Sequence, residues 1–295
     1  MSTDDIYYGP RDDRFKKLIY RLLEKGKLKP KYLDILTNDS NMKLFDRSFT
    51  SPSADPVNNY EMYEQLGDLS ANKFIVWYVY KRFPQLRCSK GVKIAARLRI
   101  NYGSKQSFYE ISEKYGFWHF ITASVEEREH KKKPLMEDAL EAFVGCAENI
   151  LDDMFQPGVG YGIVYDILKG IFDDMPMSLA YQDLYDAKTR LKELYDFYPD
   201  ALGKIVYIDS RQEQLAISHV YQLGSGMRTQ PIEIKTGPGK RDVENRPQPG
   251  WVLIGTGRAA IKPDAQKKAA IEGLKYMNMR GFTKPIPEEY SMFCA

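Results

Sequence analysis

The chain has 295 residues, which is enough for one large domain or two ordinary ones. Hydrophobic residues make up 43% and aromatic residues 13%, and this content excludes a chain that is disordered throughout. No apolar run reaches the roughly 18 residues that a membrane-spanning helix needs, and the first residues lack the layout of a signal peptide. The three cysteines are odd in number and widely spaced, which favours neither a disulfide framework nor a zinc site. We therefore expect no membrane partner and a reducing intracellular compartment, of which the cytoplasm is the simplest.

The charge is distributed unevenly along the chain, although the net charge is only +3. Residues 186–295 contain 17 Lys and Arg against 13 Asp and Glu, whereas residues 1–185 contain 26 against 27. A near-neutral first part followed by a basic second part fits a catalytic domain that is joined to a polyanion-binding domain. An ordinary basic surface explains the same numbers equally well.

Hydrophobic spacing predicts that the chain is almost entirely helical up to about residue 172. The predicted helices cover residues 15–26, 60–83, 91–101, 106–115 and 134–155. Between them, turn residues predict a polar loop over 49–59, and a run of charges predicts a loop or a frayed helix end over 124–133.

The pattern changes after residue 185. Residues 186–197 and 264–279 predict helices, and three short runs between them are rich in β-branched and aromatic residues. These runs predict strands over 204–209, 215–223 and 251–255. Residues 224–249 are rich in Gly and Pro and predict a long loop between the second and third strands. A loop of that length is uncommon in a small domain, so we expect it to be either mobile or functional.

Two of the predicted helices carry acidic residues on one face. Glu61, Glu64 and Asp68 stand at i, i+3 and i+7, which places them within an arc of roughly 60° on an α-helix. Asp138 and Glu141 stand at i and i+3 of a later helix whose other residues are mostly apolar. A solvated acidic face explains either helix when it is considered alone.

The acids of the two helices together favour a metal site, because buried carboxylates of like charge are costly unless a cation holds them. Ligand sets made only of oxygen atoms suit a hard ion such as Mg²⁺ or Mn²⁺. Sites of this kind activate a water molecule and stabilise the leaving oxygen in phosphodiester hydrolysis. On spacing alone, the metal site and the solvated face remain comparable alternatives.

The two acidic segments resemble the ribonuclease III family. Residues 60–68, YEMYEQLGD, are similar to that family's signature N-E-R-L-E-F-L-G-D. Residues 138–145, DALEAFVG, are similar to its second motif, which is Asp-x-x-Glu-Ala with Gly three residues further on. The separation of 70 residues between Asp68 and Asp138 is also typical of that family. The resemblance covers about residues 40–170 and is specific, because both motifs occur in the same order and spacing.

The resemblance implies roles for individual acids. The family's four metal-binding, catalytic carboxylates match Glu64, Asp68, Asp138 and Glu141. Glu61 matches an acid that supports the site and contacts RNA. The implied cofactor is Mg²⁺, with Mn²⁺ as a possible substitute.

Three positions depart from the family's signature, and one of them bears on association. Tyr60 stands where Asn is usual, and Met62 stands where Arg is usual. Gln65 replaces an aromatic residue that packs across the family's dimer interface. The helix over 69–82 is nevertheless apolar on more than one face, as expected where one face meets the core and another meets a partner. We therefore expect a two-fold homodimer in which residues near Gln65 fill the gap.

The C-terminal segment resembles a double-stranded-RNA-binding domain. Residues 186–196 are similar to that domain's first helix, and residues 255–277 are similar to its last strand and second helix. In the family, a pair of lysines at the start of the second helix binds phosphates. The candidate RNA-binding residues here are Lys262, Lys267 and Lys268. The family's usual Gly-Pro-x-His loop has no counterpart in this sequence, so a role in protein binding stays open for this segment.

The sequence therefore predicts a mainly α endonuclease domain with a ribonuclease III-like helical fold, followed by a small α+β double-stranded-RNA-binding domain of order α-β-β-β-α. The predicted parts are an N-terminal helical extension (1–39), the catalytic domain (40–172), a linker (173–185), the RNA-binding domain with its inserted loop 224–249 (186–282), and a C-terminal tail (283–295). The implied function is hydrolysis of both strands of double-stranded RNA, which leaves 5′-phosphate and 3′-hydroxyl ends. The alternative is a protein of the same fold that binds, sequesters or assembles on duplex RNA without cutting it. Relatives of that kind lose some of the four carboxylates, all of which this sequence retains.

Overall fold

The structure of the protein is a computed structural model that describes residues 5–224 and 247–293, together with the backbone of residues 232–235 and 241–244. The chain divides into two compact units, Met1–Met177 and Ser178–Ala295, which we call unit 1 and unit 2. Unit 1 is mainly helical, and unit 2 combines helices with a three-stranded sheet, so the predicted fold class is confirmed. The finer domain boundaries remain a prediction.

Helices make up most of unit 1. They are α1 (Asp13–Glu24), α2 (Pro30–Leu36), α3 (Asp39–Arg47), α4 (Glu61–Arg82), α5 (Gly91–Tyr102), α6 (Lys105–Tyr115), α7 (Val125–His130), α8 (Lys132–Met154) and α9 (Val159–Phe172), with 3₁₀ turns at Pro84–Leu86 and Phe117–Phe120. Strand β1 (Ile6–Tyr7) pairs antiparallel with β2 (Ala123–Ser124), which ties the N-terminal segment to the segment before α7. In the described part of the chain, no helix is long and apolar enough to cross a membrane.

Helices α4 and α8 cross at the centre of unit 1 and pack backbone to backbone. A Cβ atom at Gly67 of α4 would lie 1.7 Å from the carbonyl oxygen of Glu141. The reciprocal contact is at Gly145 of α8, where a Cβ atom would lie 2.0 Å from the carbonyl oxygen of Tyr63. Both positions therefore require glycine, and this close crossing brings the acidic faces of the two helices together.

Aromatic side chains fill the space around α4 and α8. Phe45 of α3 stacks on Phe143 of α8 with ring centroids 5.8 Å apart, and Phe74 of α4 packs edge-on against Phe172 of α9 at 5.1 Å. All four side chains are buried, and each contributes roughly 1.5–3 kcal/mol relative to an exposed side chain. This packing fixes α4 and α8 relative to their neighbours, so side chains on the two helices have defined positions.

Unit 2 contains an antiparallel sheet with helices packed on one face. Its elements are α10 (Tyr181–Leu184), α11 (Ala187–Phe197), α12 (Pro199–Leu202), β3 (Lys204–Gln212), β4 (Leu215–Leu223), β5 (Ile232–Lys235), β6 (Arg241–Glu244), β7 (Val252–Ala259), α13 (Lys262–Met279) and α14 (Glu288–Ser291). The strand order is β3-β4-β7, and β5 pairs separately with β6. Leu191 of α11, Val220 of β4, Ile254 of β7 and Ala269 of α13 belong to the core that joins sheet and helices. The observed order of the main elements is the predicted α-β-β-β-α order.

Two segments contain more regular structure than the sequence predicted: 124–133, predicted as a loop or a frayed helix end, and 224–249, predicted as a long loop. Within 124–133, the hydroxyl of Ser124 accepts a hydrogen bond from the backbone N–H of Glu127 and caps α7, and α8 begins two residues after α7 ends. This segment therefore contains a capped helix, which its run of charged residues did not indicate. Within 224–249, β5 and β6 form a short antiparallel pair, whose four-residue strands give too short a signal beside the surrounding Gly and Pro. The rest of that predicted loop, apart from its two ends, lies outside the described residues.

The predicted linker and the predicted C-terminal tail each contain a short helix and pack together within unit 2. The hydroxyl oxygens of Tyr185, after α10, and Tyr290, in α14, lie 2.6 Å apart. The ring of Tyr181 packs edge-on against that of Tyr290, with centroids 5.3 Å apart, and Tyr290 is buried. Residues 178–185 of the predicted linker and the described part of the predicted tail therefore lie in the same compact unit as the predicted RNA-binding domain, whereas residues 173–177 lie in unit 1.

Candidate metal centre

Three of the predicted catalytic acids converge where α4 crosses α8. Glu64 lies in the first turn of α4, and Asp138 and Glu141 lie one turn apart on α8. One carboxylate oxygen from each residue lies within 4.8 Å of the others. We call this group the carboxylate pocket. It brings together acids that come from distant parts of the sequence, and it can hold a divalent cation.

Burial and mutual repulsion make these carboxylates difficult to ionise. Burial, followed by nearby negative charges of which that of Asp138 is the largest, raises the pKa of Glu64 to about 7. Burial, followed by the charge of Asp68, raises the pKa of Glu141 to about 8. Burial also raises the pKa of Asp138, although a hydrogen bond from Tyr60 opposes the change. A bound cation would offset this repulsion, because its charge neutralises the carboxylates that surround it.

The other two predicted acids lie beside the carboxylate pocket rather than in it. The Oδ1 atom of Asp68 accepts a hydrogen bond of 2.7 Å from the side-chain amide of Asn72, one turn further along α4. The charge of Asp68 nevertheless reaches Glu141, whose pKa it raises. Glu61 is exposed at the start of α4, and its charge contributes to the raised pKa of Glu64. The roles expected for Asp68 and Glu61 therefore stay predictions.

A further acid of α8, Glu137, is absent from the predicted site and yet lies next to it. Its side chain is 5% exposed, and its Oε1 atom lies 3.1 Å from the Nζ atom of Lys105 on α6. The positive charge of Lys105 opposes the rise in the pKa of both Glu64 and Asp138. Glu137 precedes Glu141 by four residues, and this helical spacing could have placed Glu137 beside the site from the sequence alone. No sequence signal indicates that α6 brings Lys105 to this site.

Tyr60 contacts the carboxylate pocket from the residue before α4. Its hydroxyl donates a hydrogen bond of 3.1 Å to Oδ2 of Asp138, and its side chain is buried. The sequence marks Tyr60 only as a departure from the ribonuclease III signature, and this contact depends on the crossing of α4 and α8.

The three predicted RNA-binding lysines are exposed at the start of α13, in unit 2. The Nζ atom of Lys262 lies 2.9 Å from Oδ2 of Asp209, and the Nζ atom of Lys268 donates a hydrogen bond of 3.1 Å to the carbonyl oxygen of Arg258. Lys267 is exposed one turn into the helix. The N-terminal end of a helix favours phosphate, and the lysines add positive charge there, but Asp209 neutralises part of that added charge. Their role in RNA binding stays a prediction.

The fold and the site define a class of protein: a helical unit whose carboxylate pocket suits a divalent cation, and a small α-β-β-β-α unit that follows it in the chain. The chain is 36% identical to a protein of Invertebrate iridescent virus 6 named "Putative ribonuclease 3", over 98% of this chain and 96% of that relative. It is 40% identical to a protein of the same name from Frog virus 3, over 75% of this chain and 57% of that relative. The chain therefore belongs to the ribonuclease III family, as its motifs predicted.

Solved structures and family models add less to this assignment. The chain is 24% identical to the nuclease domain of ribonuclease III from Campylobacter jejuni, over 53% of this chain and 98% of that one, with a TM-score of 0.40. A TM-score this low carries no weight, so the assignment rests on the viral relatives. No model of a protein family matches the chain. The ribonuclease III family is a family of nucleases, so the chain belongs to a nuclease family.

Proposed function

We propose that the protein is a metal-dependent endonuclease that hydrolyses double-stranded RNA and leaves 5′-phosphate and 3′-hydroxyl ends. The observation that carries this proposal is the carboxylate pocket, in which oxygen atoms of Glu64, Asp138 and Glu141 lie within 4.8 Å of one another. Similarity to two viral proteins that are named "Putative ribonuclease 3" supports RNA as the substrate.

The residues of the pocket fit Mg²⁺, with Mn²⁺ as a substitute. The ligand atoms that converge are carboxylate oxygens, which hard divalent cations prefer. Glu141 is only 8% exposed and has a pKa of about 8, so a cation would relieve a repulsion that the described side chains leave in place. When it is bound, the ion supplies a Lewis acid that activates water and stabilises the leaving 3′ oxygen.

The side chains of the pocket bind and orient the ion, and they give up protons to do so. Near neutral pH without metal, Glu64 and Glu141 are partly or mostly protonated, because their pKa values are raised to about 7 and about 8. Ligand carboxylates must be ionised, so metal binding releases these protons. We assign Asp68 as the fourth acid, since its charge already acts on Glu141. We assign Glu61, exposed at the start of α4, to support the site and contact RNA.

We propose that unit 2 supplies affinity for the duplex. A-form RNA is recognised mainly through its phosphates and 2′-hydroxyl groups, and exposed lysines at one helix end suit that kind of contact. The residues assigned to it are Lys262, Lys267 and Lys268, which are all exposed on α13. Because phosphates carry no sequence information, we expect weak sequence preference.

We also propose that the protein is a homodimer that associates through one face of α4. Large apolar side chains along this helix are 44–69% exposed, and stripes of this kind mark interaction surfaces. They are Met62, Leu66, Leu69, Val76, Trp77 and Tyr80. Light scattering at micromolar concentration should give twice the chain mass of 34.1 kDa, and Leu69→Glu should return the protein to a monomer. A monomeric mass for the wild type contradicts this part of the proposal.

Cleavage and binding of a long RNA duplex test the proposed activity. Glu141→Gln removes a charged ligand but keeps the side chain's shape, so cleavage in Mg²⁺ should fall by orders of magnitude while duplex binding persists. Glu148→Gln is the matched control, because Glu148 lies on the same helix, has a pKa that burial raises, and is outside the carboxylate pocket. It should cut at the wild-type rate. A wild-type protein that binds the duplex in Mg²⁺ without cutting it would instead be a non-catalytic binder of the same fold.

A further inference from the structure

The three acids of the carboxylate pocket are held unequally. The hydroxyl of Tyr60 donates a hydrogen bond of 3.1 Å to Oδ2 of Asp138. Among the described residues, neither Glu64 nor Glu141 receives a hydrogen bond at its carboxylate. Among the described residues, Asp138 is therefore the only acid of the carboxylate pocket whose carboxylate accepts a hydrogen bond from a neighbouring side chain.

Tyr60 is itself held in place on both sides of its backbone. Its N–H donates a hydrogen bond of 3.0 Å to the carbonyl oxygen of Thr50, and its own carbonyl oxygen accepts one of 2.9 Å from the N–H of Glu64. Its side chain is 4% exposed. A buried ring between two backbone anchors has little freedom to turn, so the position of its hydroxyl is set by the fold.

The hydroxyl of Tyr60 acts as a donor rather than as a charge. A tyrosine hydroxyl carries a proton that it can donate, whereas an ionised carboxylate can only accept hydrogen bonds. In this contact of 3.1 Å, the Tyr60 hydroxyl is therefore the donor and the Asp138 carboxylate is the acceptor. Since Oδ2 of Asp138 is engaged in this bond, Oδ1 is the oxygen left without a protein donor among the described residues.

We propose that Tyr60 is a positioning residue, which fixes Oδ2 of Asp138 and leaves Oδ1 to bind the divalent cation. The inference rests on the proposed function, because it requires Asp138 to be a metal ligand. A hydrogen bond that orients a ligand in advance lowers the entropy that is lost when the ion binds. Loss of such a contact typically costs about 10–100-fold in metal affinity or activity.

Calorimetric titration of the metal-free, 295-residue chain with Mn²⁺ tests this role. Tyr60→Phe keeps the ring and removes only the hydroxyl, so the dissociation constant for Mn²⁺ should rise about tenfold. The Mg²⁺ concentration that gives half-maximal cleavage should rise by a similar factor, whereas kcat at saturating Mg²⁺ should change less.

The matched control is a tyrosine of α4 that lies outside the carboxylate pocket. The hydroxyl of Tyr78 donates a hydrogen bond of 2.9 Å to Oδ1 of Asp173, and its side chain is buried like that of Tyr60. Tyr78→Phe therefore removes a comparable hydrogen bond to a carboxylate and should leave the dissociation constant for Mn²⁺ unchanged. An equal loss of affinity in Tyr78→Phe would show a general packing effect and overturn the proposal.

A double variant separates positioning through Asp138 from an independent effect. In the Asp138→Ala background, Tyr60→Phe should cause no further loss of Mn²⁺ affinity, because the hydroxyl has no acceptor there. A further tenfold loss in that background overturns the proposal, and so does a wild-type dissociation constant for Tyr60→Phe alone. If the wild-type protein does not bind Mn²⁺ at all, the proposed function itself fails, so the two kinds of failure are distinguishable.

Discussion

The carboxylate pocket of unit 1 and the lysines at the start of α13 in unit 2 are built on opposite electrostatic principles. The pocket gathers like charges in a partly buried place, and two of its acids, Glu64 and Glu141, have pKa values raised to about 7 and about 8. The lysines are exposed, and one of them, Lys262, already has a neighbouring carboxylate in Asp209. Electrostatic repulsion is tolerated in the carboxylate pocket because a cation can compensate for it, whereas phosphate contacts need only accessible positive charge. Changes in the pocket should therefore remove chemistry, and changes in the lysines should remove affinity.

The largest effect should come from the pocket. Asp138→Asn keeps the shape of the side chain and an acceptor for Tyr60 but removes a charged ligand. Single-turnover cleavage of a duplex in Mg²⁺ should fall by more than about 100-fold, since even the loss of a group that only orients a ligand costs about 10–100-fold. The dissociation constant for the duplex should stay within about twofold of the wild type, because phosphate contacts elsewhere dominate binding. Cleavage within tenfold of the wild-type rate would contradict the role of Asp138 as a metal ligand.

A smaller and opposite effect should come from the lysines. Changing Lys262, Lys267 and Lys268 to Ala should weaken duplex binding about tenfold at about 150 mM salt and reduce its salt slope by about 2–3. Cleavage at low salt should persist. Asp209→Asn is the reciprocal variant: it frees Lys262 from its ion pair and should tighten binding. Filter binding over a range of salt concentrations measures both effects, and equal affinities for all three proteins would assign unit 2 to another role.

The smallest effect is a pH-dependent change in stability. The folded protein holds the proton of Glu141 more tightly than the unfolded chain does, because burial and the charge of Asp68 raise its pKa from an ordinary 4.5 to about 8. Without metal, the free energy of unfolding should therefore fall as pH rises from about 4.5 to about 8. Glu141→Gln removes this loss, so its melting temperature at pH 8 should exceed that of the wild type, by about 2–4 °C for each kcal/mol regained.

Calorimetry in a chelator at pH 5 and at pH 8 measures this difference. At pH 5 the two proteins should unfold at similar temperatures, because Glu141 is protonated in the wild type. Added Mn²⁺ at pH 8 should stabilise the wild type much more than Glu141→Gln, since an ion that binds the folded state raises its stability. The triple lysine variant should respond to pH and Mn²⁺ as the wild type does. The same gain for Glu141→Gln at both pH values would contradict a buried, proton-binding Glu141.

The sequence predicted the helices that carry the pocket because their signals are local. The predicted helix over 60–83 is observed as Glu61–Arg82, since apolar spacing sets its body and Pro84 ends it. The predicted helix over 134–155 is observed as Lys132–Met154, which begins two residues earlier, within the run of charged residues. Spacing within each helix also indicated which acids share a face. The convergence of the two faces came from resemblance to ribonuclease III rather than from spacing.

The contacts around the pocket could not be predicted, because they depend on tertiary packing. Tyr60 meets Asp138, and Lys105 meets Glu137, only because α4, α6 and α8 pack in one arrangement. Spacing placed Asp68 on the same face of α4 as Glu64, but the hydrogen bond between its Oδ1 atom and the side-chain amide of Asn72 depends on a rotamer. Helical periodicity predicts which face of a helix a residue lies on, but it does not predict which side chain from another helix contacts that residue.

The location of the bound ion tests the central claim most directly. Crystals of the wild-type protein soaked in Mn²⁺ should show their strongest anomalous-scattering peak in the carboxylate pocket, about 2.0–2.3 Å from oxygen atoms of Glu64, Asp138 and Glu141. The same soak of Glu141→Gln crystals should show that peak lost or greatly weakened. A fully soaked wild-type crystal with Mn²⁺ bound elsewhere and no peak between these three carboxylates would contradict the account.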